Sequence, residues 1–366
     1  MLNKIHIISD LATPHNNSLV LELRKFSNYK IFNWYRFKYM RALPWDEPLG
    51  TDKDDFYFNK FSNIFKILSI ALFNRKDKFI LIGYSNFLTR FLIIFFLLTR
   101  RNFSIWFDHP SEQHGLKSVI RSLSYFILQL ANPTFFVVGR HTKSFFKQCG
   151  FEEKNLINLP IFIDVPSNSE LENIDKELIK KNFNIDSSKI LISAASRIEP
   201  EKSYDTLIDA IINLNDKIKK NILVLIIGDG SQKKMLIEKV EKNKINKIII
   251  FKKWLSPNSY KNIISVSDIF IHPAKFDAFG GGPLFAMSHG IPVIGSDGSG
   301  VVIERINHSI NGYKFKAGDD ISLSKLVENL IVDKYHREIM GKNGRFTALK
   351  WKPSVGAKII ISALFN

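Results

Sequence analysis

Short apolar runs alternate with longer amphipathic stretches from one end of the chain to the other. Runs of this length, bounded by glycine or polar residues, are typical of buried strands, and the stretches between them are typical of helices. The alternation predicts the α/β class, with parallel sheets covered by helices on both faces. The predicted strands cover residues 5–9, 79–83, 103–107, 135–139 and 158–163, and then 190–195, 223–228, 247–251, 269–272 and 292–295.

A polar segment, residues 164–188, separates the two groups of strands and has no strand pattern of its own. A chain of 366 residues is also longer than one hydrophobic core usually serves. We therefore expect two domains, with the linker and the first helix of the second domain in the polar segment.

One apolar segment, residues 91–99, is flanked by Arg90, Arg100 and Arg101. As a helix it would span about 14 Å, which is too short to cross the hydrocarbon core of a bilayer. It is predicted either as a buried helix that leads into the next strand, or as a surface helix that enters the lipid interface with its arginines on phosphates. The two alternatives are compatible, because one face of a helix can pack while another docks.

The charge balance points to anionic partners. Lys and Arg outnumber Asp and Glu by 52 to 35, a formal net charge of +17. Such a surface favours phosphorylated substrates, anionic lipid head groups or nucleic acid, unless a Lys-rich composition merely raises the charge. The sequence has no recognition helix with clustered arginines, so no nucleic-acid partner is expected. The single cysteine, Cys149, and the lack of a signal-peptide pattern after Met1 predict a cytoplasmic location.

The segment richest in candidate chemistry follows the predicted strand 269–272. Asp277 and three glycines precede Pro283, which suits the first position of a helix because its missing N–H would be unpaired there anyway. Gly290 then provides a helix stop. Free N–H groups and the positive end of the helix dipole predict an anion site at the strand edge where such sheets bind ligands. The glycines of this site are Gly280, Gly281 and Gly282.

This segment resembles the nucleotide-sugar signature of the retaining glycosyltransferases of family 4. In that signature P-S-x-x-E-G-F-G precedes a short helix, and a second glutamate follows the first by eight residues. Matching positions are Pro273, Ala274, Asp277, Phe279, Gly280, Ala286, Met287 and residues 290–294, with further matches at Glu304, Asn311, Gly312, Gly318, Asp319, Met340 and Gly341. Two positions depart from the signature: Asp277 stands for the first glutamate, and Phe285 replaces the second, which usually holds ribose hydroxyls.

Two cations extend the resemblance. Arg197 and Lys202 fit the family's G-R-x-x-x-x-K turn, whose cations hold the donor diphosphate, although Ser196 and Ser203 stand where the family has glycines. Cations of this kind neutralise a leaving pyrophosphate. The resemblance therefore implies a catalytic role for Asp277 and donor binding by Arg197, Lys202, Phe279, Gly280, Gly281, Gly282, Pro283 and Glu304.

The first half offers a candidate catalytic histidine after the predicted strand 103–107. The family keeps a histidine at such a place, and the resemblance implies that His109 holds a hydroxyl of the donor sugar. His114 is the alternative, and a histidine that only caps the loop remains a further one. Asp108, Glu112 and Tyr84 are candidates for acceptor binding, although Tyr84 equally suits the start of a helix.

The resemblance implies the GT-B fold, with two Rossmann-like doubly wound domains facing across a cleft. Residues 1–165 would bind the acceptor, residues 166–350 the nucleotide sugar, and residues 351–366 would form a helix that crosses back to the first domain. No metal signature is recognisable, so we expect a UDP- or GDP-linked sugar as substrate and neither metal nor other cofactor.

The implied function is sugar transfer, with retention, to a lipid-linked or polysaccharide acceptor of a surface glycan such as O-antigen or capsule. An anionic membrane is the expected partner surface, at the inner face of the cell membrane. Phe285 motivates the alternative, a catalytically inactive scaffold subunit of a glycan-assembly complex.

Overall fold

The computed structural model describes residues 2–10, 13–37, 52–58, 61–83, 87–110 and 116–365. The chain divides into two compact units, of which the first comprises Met1–Phe162 with Pro353–Asn366 and the second Ile163–Lys352. Each unit contains one parallel sheet of the Rossmann type. The predicted α/β class is therefore confirmed.

The first unit contains a seven-stranded sheet in the order β3-β2-β1-β4-β5-β6-β7. Its strands are β1 (Asn3–Ser9), β2 (Tyr29–Tyr35), β3 (Asp55–Tyr57), β4 (Lys78–Ile82), β5 (Ser104–Phe107), β6 (Thr134–Val137) and β7 (Leu156–Asn158). Its helices are α1 (Pro14–Arg24), α2 (Phe61–Phe73), α3 (Phe87–Leu98), α4 (Leu116–Ala131) and α5 (Gly139–Gln148). All strand pairs in it are parallel, with Asn3 opposite Tyr29 and Ile5 opposite Lys78.

The second unit contains a six-stranded sheet in the order β10-β9-β8-β11-β12-β13. Its strands are β8 (Ile190–Ala195), β9 (Ile222–Ile227), β10 (Ile249–Lys252), β11 (Ile269–His272), β12 (Val293–Ser296) and β13 (Tyr313–Phe315). Its helices are α6 (Asn168–Glu172), α7 (Lys176–Asn182), α8 (Tyr204–Ile212), α9 (Asp216–Lys219), α10 (Lys233–Lys242), α11 (Pro257–Ser265), α12 (Gly281–Ser288), α13 (Gly300–Arg305), α14 (Asp320–Val332) and α15 (Lys334–Leu349).

The last helix, α16 (Pro353–Phe365), belongs to the first unit and packs against α1. A β-carbon at Gly356 would lie 2.6 Å from the ring of Phe162 and 2.9 Å from Leu19, so the helix backbone itself lies against the core of that unit. Ala357 and Ile360, on the same side, are also buried.

The sequence analysis missed three strands and misplaced a fourth. β2, β3 and β13 were not predicted, because polar side chains interrupt the apolar pattern of β2 and the other two have only three residues. In place of the strand predicted at 158–163 the structure has β7, Leu156–Asn158, and Pro160 lies two residues beyond its end. Proline lacks the N–H that a continuing ladder needs, so the pairing with β6 stops there.

The apolar segment 91–99 lies mostly in α3. Leu92 and Phe96 are buried on one side of the helix, while Ile94 and Leu98 are exposed on the other. Among the described residues, no helix combines the length and apolar character needed to cross a membrane.

Candidate functional site

The order of the second sheet reverses between β8 and β11, which lie side by side at its centre. Connections leave these two strands in opposite directions, so their carboxyl ends leave a crevice, and ligands of open α/β sheets bind at this place. β8 ends at Ala195 and β11 at His272. The segments that follow these two residues therefore form the candidate site.

The segment after β8 carries the two predicted cations. Arg197 is 62% exposed at its side chain, and its Nη2 lies 3.2 Å from Glu201 Oε1. Lys202 closes a short 3-10 turn, Pro200–Lys202, and is buried. The turn continues into α8 through Ser203, whose φ of 52° is left-handed. Glycine adopts that conformation without strain, which is a physical reason for the family to have glycine where this chain has Ser203.

Lys202 and Asp277 form an ion pair on the buried side of the site. Lys202 Nζ lies 2.9 Å from Asp277 Oδ2 and donates a hydrogen bond of 3.2 Å to the carbonyl of Phe276. His272 Nε2 lies 3.1 Å from the same Oδ2, though without hydrogen-bond geometry. Burial by itself raises the pKa of Asp277, but the contacts with His272 and Lys202 outweigh it and hold that pKa well below its usual range. Asp277 is therefore a carboxylate at neutral pH.

The glycine loop leads directly from this cluster into α12. Gly280 has a φ of 96°, and a β-carbon on it would lie 3.1 Å from Ser299 Oγ and 3.3 Å from His272 Nε2. At Gly282 a β-carbon would lie 2.9 Å from the ring of Phe270 and 3.3 Å from the carbonyl of Ala195, so the start of α12 contacts the end of β8. Only at Gly281, of these three, would a β-carbon enter open space. The exposed first position of α12 is the natural place for an anion.

Backbone contacts with the next loop fix the position of the glycine loop. The carbonyl of Phe279 accepts hydrogen bonds from Ser299 Oγ at 3.0 Å and Val301 N at 2.7 Å, and Asp277 N donates to Gly298 O at 2.9 Å. The Phe279 side chain is buried, as is Pro283 in the first turn of α12. Their side chains thus anchor the loop.

Glu304, predicted to bind the donor, lies inside the unit. Its side chain is 1% exposed, and its Oε1 lies 3.5 Å from Arg305 Nη2. The guanidinium of Arg305 in turn stacks on Trp351, 3.2 Å from the ring centroid. Donor contact by Glu304 would require this packing to open, and its role stays a prediction.

Phe285 points its ring toward aromatic neighbours. Its centroid lies 5.3 Å from that of Tyr260 and 4.4 Å from that of His289. His289 Nδ1 donates a hydrogen bond of 3.0 Å to the carbonyl of Phe285. The position where the family has its second glutamate is therefore part of an aromatic cluster.

In the first unit, His109 follows β5 and stacks on His141 of α5, with centroids 4.5 Å apart and planes within 10°. Its Nδ1 donates a hydrogen bond of 3.0 Å to the carbonyl of Pro110, and its ring centroid lies 5.0 Å from that of Phe145. Burial lowers the pKa of His109, and the neighbouring His141 lowers it further. Asp108 is exposed beside it.

The other predicted site residues of the first unit, Tyr84, Glu112 and the alternative His114, lie outside the described residues. The sequence analysis did not single out His272, Ser299 or His141 as site residues. His272 is the last residue of a strand at the point where the sheet order reverses, and that position could have identified it. In the described ranges, no three His, Cys, Asp or Glu side chains come together as metal ligands would.

Residues 175–346, all of them in the second unit, match the model of the family Glycosyl transferases group 1. The chitobiosyldiphosphodolichol beta-mannosyltransferase of Candida albicans is 24% identical over 237 residues, which cover 60% of this chain and 50% of the relative. The O-antigen biosynthesis glycosyltransferase WclY of Escherichia coli is 26% identical over 186 residues, covering 50% and 49%. The chain thus spans about half the length of these two curated relatives.

Likeness in three dimensions extends over the whole chain. The crystal structure of Anabaena Alr3699/HepE in complex with UDP matches with a TM-score of 0.75 and 14% identity, covering 99% of both chains. At this identity the likeness shows the fold alone. The predicted GT-B fold class is confirmed, as is the resemblance to the group 1 glycosyltransferases.

Proposed function

We propose that the chain is a retaining glycosyltransferase of the family 4 type, because residues 175–346 in its second unit match the model of the glycosyl transferases group 1. It transfers a sugar from a UDP- or GDP-linked donor to a lipid-linked or polysaccharide acceptor. The observation that carries the proposal is the exposed first position of α12, at Gly281, beside the carboxyl end of β8 that bears Arg197 and Lys202.

The donor diphosphate binds at this edge of the second sheet. Backbone N–H groups at the start of α12 and the positive end of its dipole attract phosphate oxygens. Arg197 is exposed, so its guanidinium is available to exchange Glu201 for a phosphate, and Arg suits such bidentate contacts. Lys202 adds positive charge while it holds Asp277 and the glycine loop in place.

These groups stabilise the leaving group without a metal ion. As the bond between the anomeric carbon and the diphosphate oxygen breaks, negative charge develops on that oxygen, and fixed cations and amides lower the energy of this charge. The acceptor hydroxyl attacks from the same face, and its proton passes to the departing phosphate. His109 holds a sugar hydroxyl, with Asp108, Glu112 and Tyr84 on the acceptor side. The lowered pKa of His109 favours a neutral imidazole at pH 7.

The acceptor class is inferred from charge and from the names of relatives. A formal net charge of +17 favours an acceptor at an anionic surface. One relative is named for a dolichol diphosphate acceptor and another for O-antigen biosynthesis. We place the enzyme in surface-glycan synthesis, bound peripherally at the inner face of the cell membrane.

The test is binding and turnover across a panel of UDP- and GDP-linked sugars, measured by thermal shift and by release of the nucleoside diphosphate. Gly281→Val fills the open space before α12, and Arg197→Met removes an exposed cation. Both should unfold like the parent protein and lose at least tenfold in donor affinity. Lys334→Met, which removes another exposed cation on α15, is the matched control and should bind normally. Absence of binding for every donor, with membranes present, would refute the proposal.

Phe285 favours a second candidate, a catalytically inactive scaffold subunit of a glycan-assembly complex. Its aromatic cluster leaves no carboxylate at that position for ribose hydroxyls. A scaffold would bind no donor, and its assembly with other subunits would be indifferent to Gly281→Val. An enzyme loses turnover with the same change.

A further inference from the structure

Three helices of the first unit expose a large set of apolar side chains, here called the outer helix face. On α2 and α3 these are Phe65, Leu72, Phe73, Phe91, Ile94 and Leu98, and on α4 they are Val119, Ile120, Leu123, Phe126, Ile127 and Leu130. Single exposed apolar residues are ordinary, but a contiguous set of this size marks an interaction surface.

The three helices lie in one layer. Their inner sides contribute Ile67 and Ala71 from α2, Leu92 and Phe96 from α3, and Leu128 from α4 to a single hydrophobic cluster. The cluster includes alternate side chains of β4, β5 and β6, which all point to the same face of the sheet. Since one side of each helix is fixed on that face, the exposed apolar residues all lie on the outside of the same layer.

The outer side of α4 carries the longest apolar stripe. Positions 119, 120, 123, 126, 127 and 130 recur with the helical period and are all exposed, while Tyr125 and Leu128 on the inner side are buried. A helix that only covers a sheet needs one apolar side. α4 has two, so packing within its unit does not account for the outer one.

The charged residues of these three helices have one sign. α2, α3 and α4 contain no Asp or Glu, and residues 61–131 carry nine Lys or Arg against three Asp or Glu. Arg75 and Lys76 follow α2 and Arg100 follows α3, and all three are exposed. An apolar face with cationic ends is complementary to the boundary between anionic head groups and acyl chains.

We propose that the first unit docks on an anionic lipid bilayer through the outer helix face, with α4 as the main inserting element. The proposal rests on the proposed function in one respect, since it identifies the surface by which a transferase reaches a membrane-bound acceptor. A second copy of the chain fits this face less well, because a self-complementary contact would bring cationic ends together.

The experiment is co-flotation of the purified chain with vesicles of pure phosphatidylcholine and with vesicles that contain 30–40% phosphatidylglycerol (roughly the anionic content that gives a marked surface potential). The variant Leu123→Ser/Phe126→Ser/Leu130→Ser changes only exposed positions and should weaken binding to the anionic vesicles about tenfold or more. Arg75→Gln/Lys76→Gln should weaken it roughly fivefold per charge removed. A matched control, Ile321→Ser/Val332→Ser/Phe346→Ser, alters exposed apolar residues of the second unit and should bind like the parent chain.

Three outcomes would overturn the proposal. The parent chain could fail to float with anionic vesicles, the control triple could weaken binding as much as the α4 triple, or light scattering could show a dimer that the α4 triple dissociates. Donor binding in solution is measured on the same samples. If flotation is lost while donor binding is normal, the docking surface is wrong and the transferase assignment stands. If the chain floats but binds no donor, the transferase assignment is wrong and the docking surface stands.

Discussion

Replacing Asp277 by asparagine tests whether the ion cluster is a structural support of the candidate site. The side chains of Lys202 and Asp277 are only 9% and 17% exposed, and their charged atoms lie 2.9 Å apart. Asp277→Asn removes the anion but keeps the shape. It leaves the ammonium of Lys202 buried beside a neutral amide and the carbonyl of Phe276. An uncompensated buried charge is among the costliest single defects in a protein.

The expected loss is about 3 kcal/mol in the free energy of unfolding at pH 7. Breaking one side of a buried pair costs about 3–5 kcal/mol, and the asparagine oxygen still accepts one hydrogen bond, which favours the lower end. The sign of the pH dependence follows from the depressed pKa of Asp277. A carboxyl whose pKa is lower in the folded state contributes stability above its unfolded pKa, about 3.9, and loses it as the pH falls further. The difference in stability between the parent and Asp277→Asn should therefore begin to narrow below about pH 4 and narrow further as the pH falls toward the folded pKa.

Urea unfolding followed by circular dichroism at pH 7 and pH 3.5 measures both effects. Glu338→Gln is the control, because it removes an exposed carboxylate 3.9 Å from Lys334 and should change little. In Asp277→Asn/Lys202→Met both charges are gone, so the double variant should be more stable than the sum of the single effects predicts. A loss below about 1 kcal/mol, or strict additivity, would refute this account of the cluster.

Three further predictions concern the loop, the aromatic cluster and the histidine stack. Gly280→Ala should lower the free energy of unfolding by about 1–2 kcal/mol in a thermal melt, because the backbone φ at this position is 96°. Gly281→Ala should leave the free energy of unfolding unchanged or raise it, and equal effects of the two changes would contradict the loop geometry. Phe285→Glu should raise the affinity for UDP-sugars, measured by thermal shift, because it restores the carboxylate that the family uses to hold the ribose. A loss of stability without a gain in donor affinity would contradict a ribose contact at this position. His141→Ala should raise the pKa of His109 in an NMR titration, since His141 lowers it; an unmoved pKa would contradict that contribution of His141.

The sequence predicted most central strands because apolar runs such as β8, β9 and β11 are buried on both faces of a parallel sheet. It missed two edge strands, β3 and β13, and the interior strand β2. β3 and β13 have three residues each, too few for a periodic signal, and both lie at the ends of their sheets. Edge strands are partly exposed, so their side chains need not be apolar.

For the candidate site, the sequence could place Lys202 and Asp277 after neighbouring strands but not pair them. Their contact depends on backbone detail, such as the left-handed Ser203 and the hydrogen bond of 3.0 Å from Phe276 N to Glu201 O. Such geometry has no signal in residue type. The packing of Phe285 on Tyr260 was equally unpredictable, because the two residues are distant in the sequence and meet only when α11 and α12 pack together.

The placement of α16 has a consequence for biosynthesis. Because Pro353–Asn366 complete the unit that Met1–Phe162 begin, the ribosome must make the entire second unit before the first can cover its α1 side. Until then Leu19 and Phe162 lack their contacts with the backbone at Gly356, and the early intermediate exposes apolar surface. The second unit has no such dependence and can fold as soon as it emerges, so we expect the later half of the chain to reach its native state first.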